Sequence, residues 1–216
     1  MIRSALVALL CMVSLTMYCQ NAGIYYTRNG AKLNGDKPKG FTIAYDHGFA
    51  LGAFLDLTIA PDVELSIQPG YQKLQSIIKI PDTGNPDNDL KDTLDFQLDY
   101  LSVPLLFKIH PVKSERVYFI AGPQIGFLLD GKTTNENGEE KDQNDLLNDF
   151  NLSLNFGLGY KFPVKSIFLL LEVRYEQGLL NITDYGNPDE LFSRVKTQGV
   201  NFSLGFFIPF KRAADE

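Results

Sequence analysis

From Phe150 to Phe162 every second residue is large and apolar: Phe150, Leu152, Leu154, Phe156, Leu158, Tyr160 and Phe162. Asn151, Ser153, Asn155, Gly157, Gly159 and Lys161 fill the positions between. A period of two marks a β-strand with one apolar face. The same alternation runs through Val117–Leu129, Phe202–Phe210, Phe49–Ile59, Val63–Tyr71, Leu101–Ile109 and Ile167–Tyr175, with a weaker eighth strand over Gly23–Lys32. The phase slips near Tyr100-Leu101, which predicts a bulge or the edge of a spanning segment.

The connections constrain the topology further. Ala60-Pro61-Asp62, Pro111 to Glu115 and Pro163-Val164-Lys165 are tight turns, whereas Leu33 to Gly40, Pro81 to Asp92, Gly131 to Asn148 and Asn181 to Arg194 are long and polar. Short and long alternate along the whole chain. An up-and-down sheet with all short turns at one end and all long loops at the other is the outer-membrane pattern, with short periplasmic turns and longer outside loops. In lipid the backbone must satisfy its own hydrogen bonds, so a spanning sheet has to close on itself. A spanning strand needs about 9–11 tilted residues, which Phe150–Phe162 supplies. The expectation is an all-β, eight-stranded antiparallel up-and-down transmembrane barrel, with its apolar face toward lipid and its polar face filling the lumen. Rings near the short turns (Phe107, Phe119, Tyr160, Phe162, Phe210) and toward the long loops (Tyr71, Phe127, Phe150, Tyr175, Phe202) would form two aromatic belts.

A soluble barrel of lipocalin type also has eight alternating strands, with the apolar face inward. Here the non-apolar face carries Gly, Ser, Asn and Gln rather than the Lys and Glu of a solvated surface. The apolar face is also too bulky to fit inside a small barrel, and the chain has no tryptophan. With 44% hydrophobic residues in 216, it is too apolar for disorder and too polar for a helical membrane bundle.

The N-terminus reads as an export signal over residues 1–20: Arg3, an apolar run from Ala5 to Leu15, and a poorly marked cleavage point at 19–22. Ser14 and Thr16 interrupt a run already short for a span. Cys19 raises the question of lipidation, but the bulky Tyr18 before it argues for a plain exported chain. Cys11 would leave with the signal, so the mature chain has no disulfide available. The barrel domain is placed at 21–210 and a short polar tail at 211–216.

Several strands resemble a known family. Tyr100-Leu101-Ser102-Val103-Pro104-Leu105-Leu106-Phe107-Lys108 resembles the "Y-L-x-x-P-L-L-x-K" strand of the PorT-like bacterial outer-membrane β-barrel family, and Ala121-Gly122-Pro123-Gln124-Ile125-Gly126-Phe127-Leu128 its "G-P-x-x-G" strand. Asn155–Tyr160 and Glu172–Leu179 are similar to the next two. The resemblance implies an eight-stranded outer-membrane barrel, often called porin-like without evidence of transport. One member type is tied to protein secretion, a role that fold alone does not transfer. Family chains commonly stop at an aromatic residue, whereas here Lys211 to Glu216 follow Phe210. The alternation up to Phe210 still resembles the C-terminal signal read by the barrel-insertion machinery.

In so narrow a barrel the side chains fill the lumen. Pairing across the hairpins predicts Ser102 opposite Gln124, Gln124 near Asn155, Asn155 near Arg174 and Arg174 near Asn201, with Gln68 on the same face. Buried charges must be paired, so Arg174 is expected to meet Glu172, Glu176 or another lumen carboxylate, and Glu64 to meet Lys108. This network reads as a structural plug, or alternatively as the gate of a narrow passive channel for small solutes or ions.

Other constellations are weaker. His47 (beside Asp46) and His110 (beside the Pro111 turn) are the two imidazoles, with no serine partner in view. No catalysis, cofactor or metal is expected. Asp87-Asn88-Asp89-Leu90 lacks the glycine and terminal glutamate of a calcium loop, and the acidic runs Asp82, Asp87, Asp89, Asp92 and Glu136, Glu139, Glu140, Asp142, Asp145 read as solvated loops. Asn151-Leu152-Ser153, Asn181-Ile182-Thr183 and Asn201-Phe202-Ser203 match the glycosylation pattern, but Asn151 and Asn201 would point inward. Twenty Lys and Arg against 26 Asp and Glu give a charge of −6, which excludes a phosphate-gripping nucleic-acid binder. The expected surroundings are outer-membrane lipids and lipopolysaccharide, the insertion machinery at the C-terminal strand, and a protein partner at the long loops of a monomer.

Overall fold

A computed structural model describes residues 21–35, 42–81, 90–111, 116–135, 138–183 and 195–209. The export signal, Phe210 with the tail, and the loop acids Asp82, Asp87, Asp89 and Glu136 lie outside the described residues. The strands are β1 (Asn21–Gly35), β2 (Thr42–Ala60), β3 (Val63–Ile67), β4 (Gly70–Pro81), β5 (Leu90–Ile109), β6 (Val117–Thr134), β7 (Glu140–Asp142), β8 (Phe150–Val164), β9 (Ile167–Gly178) and β10 (Val195–Pro209), with a 3-10 turn at Asn144–Leu146.

The described residues form one antiparallel sheet of ten strands, not the eight expected, in the order β3-β5-β4-β2-β1-β10-β9-β8-β6-β7, with further pairings of β2 to β3 and β5 to β6. Two local features account for the difference. The expected strand Val63–Tyr71 is interrupted at Gln68-Pro69. Proline has no amide hydrogen to give a ladder. There Gln68 N donates to Pro104 O at 3.0 Å and Ala53 N to Pro69 O at 3.1 Å. β3 and β4 on either side both pair with β2 and with β5. The second addition is β7, inside the expected Gly131–Asn148 loop, which pairs only with the end of β6.

The strands also run farther toward the long-loop end than the alternation marked. β4 and β5 pair from Gly70↔Ser102 out to Pro81↔Leu90. The phase slip near Tyr100 is a bulge, because the β5–β6 register shifts between Asp99 and Tyr100 and skips Leu129. Ser102 lies opposite Gly126 rather than Gln124, and Asn155 opposite Glu176 rather than Arg174. Both hairpins are displaced by two residues from the expected register. An even displacement keeps every side chain on its face.

The apolar side of the alternation is the exposed one. Phe119, Phe156, Leu158, Val173, Phe202 and Phe206 all point outward, and Leu158 is 51% exposed. Rings meet along this surface at both ends: Tyr160 and Phe162 at 4.3 Å, Phe127 and Phe150 at 5.9 Å, Phe49 and Tyr71 at 5.8 Å. The opposite face is enclosed. Side chains from strands that are not neighbours touch across it, for example β2 to β5 and β6 to β9.

Candidate functional site: the filled interior

The interior is layered along the strands. At the short-turn end lies an apolar cluster of Tyr25, Phe54, Leu106, Tyr118, Ile120, Leu170 and Phe207. Phe168 stacks on Phe207 at 5.0 Å, and Phe54 meets Phe207 edge-on at 6.1 Å.

Charges are set into this cluster. Lys108 and Asp56 are both fully buried, and the ammonium Nζ lies 2.9 and 3.0 Å from the two Asp56 oxygens. The same Nζ is 3.8 Å from Glu172 Oε1 and 4.9 Å from the Phe54 ring centre. Tyr118 OH donates to Glu172 Oε1 at 2.9 Å. Beside them Lys161 Nζ donates to both oxygens of Glu64 at 2.8 Å, and His110 Nε2 stands 3.5 Å from Glu64 Oε2. Glu64 and Lys108 are cross-strand neighbours as expected, but the close ion pairs are Glu64–Lys161 and Lys108–Asp56. A hairpin register cannot foresee these, because each joins strands that are not adjacent in the sheet.

Gly159 fits this layer for a steric reason. A Cβ there would lie 2.1 Å from the Tyr118 ring carbon Cζ, and Tyr118 is fully buried. Gly159→Ala is therefore expected to displace the ring from Glu172 and cost about 1–3 kcal/mol by overpacking. A urea titration of the vesicle-reconstituted protein checks this; an unchanged midpoint would show that the ring has room to move.

The middle layer is centred on Arg174. Its guanidinium donates from Nη1 to Gln68 Oε1 at 3.1 Å and from Nη2 to Ser203 Oγ at 3.2 Å, while Nε is 3.6 Å from Glu172 Oε2. Gln68 is fixed in turn by Ser66, and Tyr25 OH donates to the Gln68 carbonyl. Arg174 and Asn201 are direct cross-strand partners.

Above it, Glu176 accepts from four side chains: Gln72 at 3.2 Å, Gln124 at 3.3 Å, Ser153 at 3.1 Å and Asn201 at 2.9 Å. Gln124 also donates to Gln72 Oε1 at 2.7 Å and accepts from Asn155 Nδ2 at 3.2 Å. Ser102 is buried apart from this set and donates to the Gly70 carbonyl at 3.4 Å. All ten expected lumen residues thus lie on the inner face, and Gln124, Asn155, Glu176 and Asn201 meet in one network. Sequence reasoning missed Asp56, Gln72, Tyr118 and Ser203, and left Ser153 and Lys161 out of the network although it placed them on the polar face. The legible signal for Asp56 was a lone carboxylate between Leu55 and Leu57.

Toward the long-loop end lies a second apolar cluster: Ala31, Leu33, Leu74, Ile78, Leu98, Tyr100, Leu147, Ile182 and Val195. Outside it, Lys132 Nζ lies 3.0 Å from Asp130 Oδ2. The hydrogen bond from Lys132, with help from the Asn144 amide, holds the Asp130 carboxyl below its ordinary range.

Among the described residues no group of three or more His, Cys, Asp or Glu is placed to hold a metal ion. His47 is tied to its neighbour, its backbone N–H donating to Asp46 Oδ1 at 2.7 Å. Asn151 and Asn201 are buried on the inner face.

Three solved structures are similar in fold. Neisserial surface protein A from Neisseria is 14% identical at a TM-score of 0.47, covering 88% of this chain and 97% of that one. Ail of Yersinia pestis, the attachment invasion locus protein, is 16% identical at 0.42, covering 88% and 99%. OprG of Pseudomonas aeruginosa, an outer-membrane protein, is 15% identical at 0.38, covering 89% and 98%. No curated protein matches the chain. A family model described as "Outer membrane protein beta-barrel domain" matches residues 20–184, most of the sequence. With the alternating strands, the outward apolar face and the enclosed polar face, that match places the chain in the outer-membrane protein β-barrel domain family, and in the outer membrane.

Proposed function

We propose that this protein is a non-catalytic, non-conducting outer-membrane barrel whose filled interior braces the wall while its long loops present an acidic surface to a protein partner outside. The observation that carries this reading is the layered filling of the interior below the long-loop end: an apolar cluster at the short turns, then charged and amide layers, then a second apolar cluster. Buried charges that are paired and hydrogen-bonded hold a fixed arrangement, and removing one partner is strongly unfavourable. A conduction path instead needs a continuous series of sites that bind an ion weakly enough to let it move on. The barrel acts as a monomer among lipids and lipopolysaccharide, and β10 carries the address for the insertion machinery. The PorT-like identity rests on the Tyr100–Lys108 and Ala121–Leu128 strands.

Planar-bilayer recording tests the sealed lumen. The purified protein is expected to give no reproducible single-channel steps, whereas Gln72→Gly with Gln124→Gly and Glu176→Gly, which empties the amide layer, is expected to raise ion leakage. Sizeable regular steps from the unmodified chain would replace this reading with that of a narrow passive channel.

A further inference from the structure

The long-loop end of the interior is not packed to its top. A cavity of about 490 Å³ lies there, walled by Leu33, Ile78, Leu147, Ile182 and Val195. Its size falls in the ordinary range for small-molecule sites, about 300–1,000 Å³. Leu98 and Tyr100, both almost wholly buried, belong to the same apolar cluster as these walls. The amide layer around Glu176 lies farther down the strands. The walls come from β1, β4, β5, β10 and the segments after β7 and β9. The Leu147↔Thr183 bridge and the hydrogen bond from Asn148 N to Ile182 O tie the two segments together. A pocket open to the long-loop side with such walls offers an apolar occupant a largely apolar surface to bury. These walls face inward, so the hydrocarbon of the bilayer does not reach them.

The polar residues of the cavity are unevenly charged. Among the described lining residues, Glu139 and Glu140 contribute two carboxylates and Lys141 one ammonium. Lys132, on β6, lies 3.0 Å from Asp130 and 3.9 Å from Glu140. An anionic head group would meet net negative charge at this rim, and a cationic one would be attracted to it.

We propose that this cavity is a binding site for an amphiphilic cation, an alkyl or aryl body carrying one positive charge, which enters from the long-loop side with its apolar part among Leu33, Ile78, Leu147, Ile182 and Val195. The inference uses the outward-facing loops of the reading above but not the sealed lumen. Conduction is read separately in planar bilayers, so either can fail without the other.

The chain contains no tryptophan. Phe96→Trp, at the cavity wall on β5, therefore supplies a lone fluorescent reporter. The full chain carrying it, in lipid vesicles, is titrated with ω-bromodecylammonium and with ω-bromodecanoate, whose bromine quenches on contact. The expected result is saturable quenching by the cation, at a concentration roughly tenfold below that needed for the anion. Val195→Phe, which fills the cavity, is expected to abolish the saturable component. Glu139→Gln with Glu140→Gln is expected to remove the preference for the cation. Leu147→Phe serves as a second filling variant, and heat-modifiable gel migration confirms that each is folded. Quenching that rises linearly with probe, or survives in folded filled variants, would mean bilayer partition and overturn the site. Equal binding of the anion would overturn the cationic assignment.

Discussion

Lys108→Met is expected to lower the stability of the membrane-inserted protein by about 3–5 kcal/mol, the cost of leaving a buried carboxylate without its partner. Asp56 is fully buried, and the Lys108 ammonium sits within 3.0 Å of both its oxygens. Methionine keeps much of the length and apolar bulk of the lysine stem, so the contact with the Phe54 ring changes little while the charge disappears. Glu172 loses a second-nearest cation as well, keeping Arg174 at 3.6 Å. The pair variant Asp56→Asn with Lys108→Met removes both charges and is expected to recover most of the loss, because an ion pair replaced as a unit is often nearly neutral. Urea titrations in vesicles, with the folded fraction read from heat-modifiable gel migration, measure all three. Since the pair is dry, added salt should change the result little. A loss below about 1 kcal/mol, the value of an exposed pair, would place water at Asp56.

Leu158→Arg is expected to cost about 2–4 kcal/mol, the penalty for a cation on the lipid face near the middle of a spanning strand. Leu158 lies midway along β8, half exposed, between Phe119 on β6 and Val173 on β9. On a water-facing surface the same change would stay within about 0.5 kcal/mol. Glu140→Arg, on the exposed β7, is the matched control and is expected to stay within that limit. If the two variants behaved alike in vesicles, the outward apolar face would not be in contact with hydrocarbon.

Which face of each strand turns inward was legible in the sequence, since the alternation from Phe150 to Phe162 fixes it and a two-residue error in register leaves it unchanged. Lumen composition was legible for the same reason: Gln124, Asn155, Arg174 and Glu176 occupy the polar phase of strongly alternating strands. The strand count was misjudged at two particular places. Pro69 stood in plain view as a ladder breaker within Val63–Tyr71, and three residues of β7 pair inside a segment whose polarity reads as loop. Ion partners were not legible, because Lys108–Asp56 and Lys161–Glu64 join strands separated by others, a distance no hairpin encodes. The apolar cap at the short-turn end escaped because the inner phase turns apolar there as well, so that Val117-Tyr118-Phe119-Ile120 and Phe206-Phe207-Ile208 are apolar on both faces. Those runs are the readable trace of a core that switches from polar to apolar along its axis.

The longest ladder in chain distance joins β1 to β10, fifteen successive pairs from Asn21↔Pro209 to Gly35↔Val195. Until the final strand has been synthesised, the first has no mate on one flank, and bare amides cannot stay in hydrocarbon. Assembly therefore cannot commit from the N-terminus onward as translation proceeds. A chain truncated before Val195 would leave that flank of β1 without a partner and is expected not to insert stably.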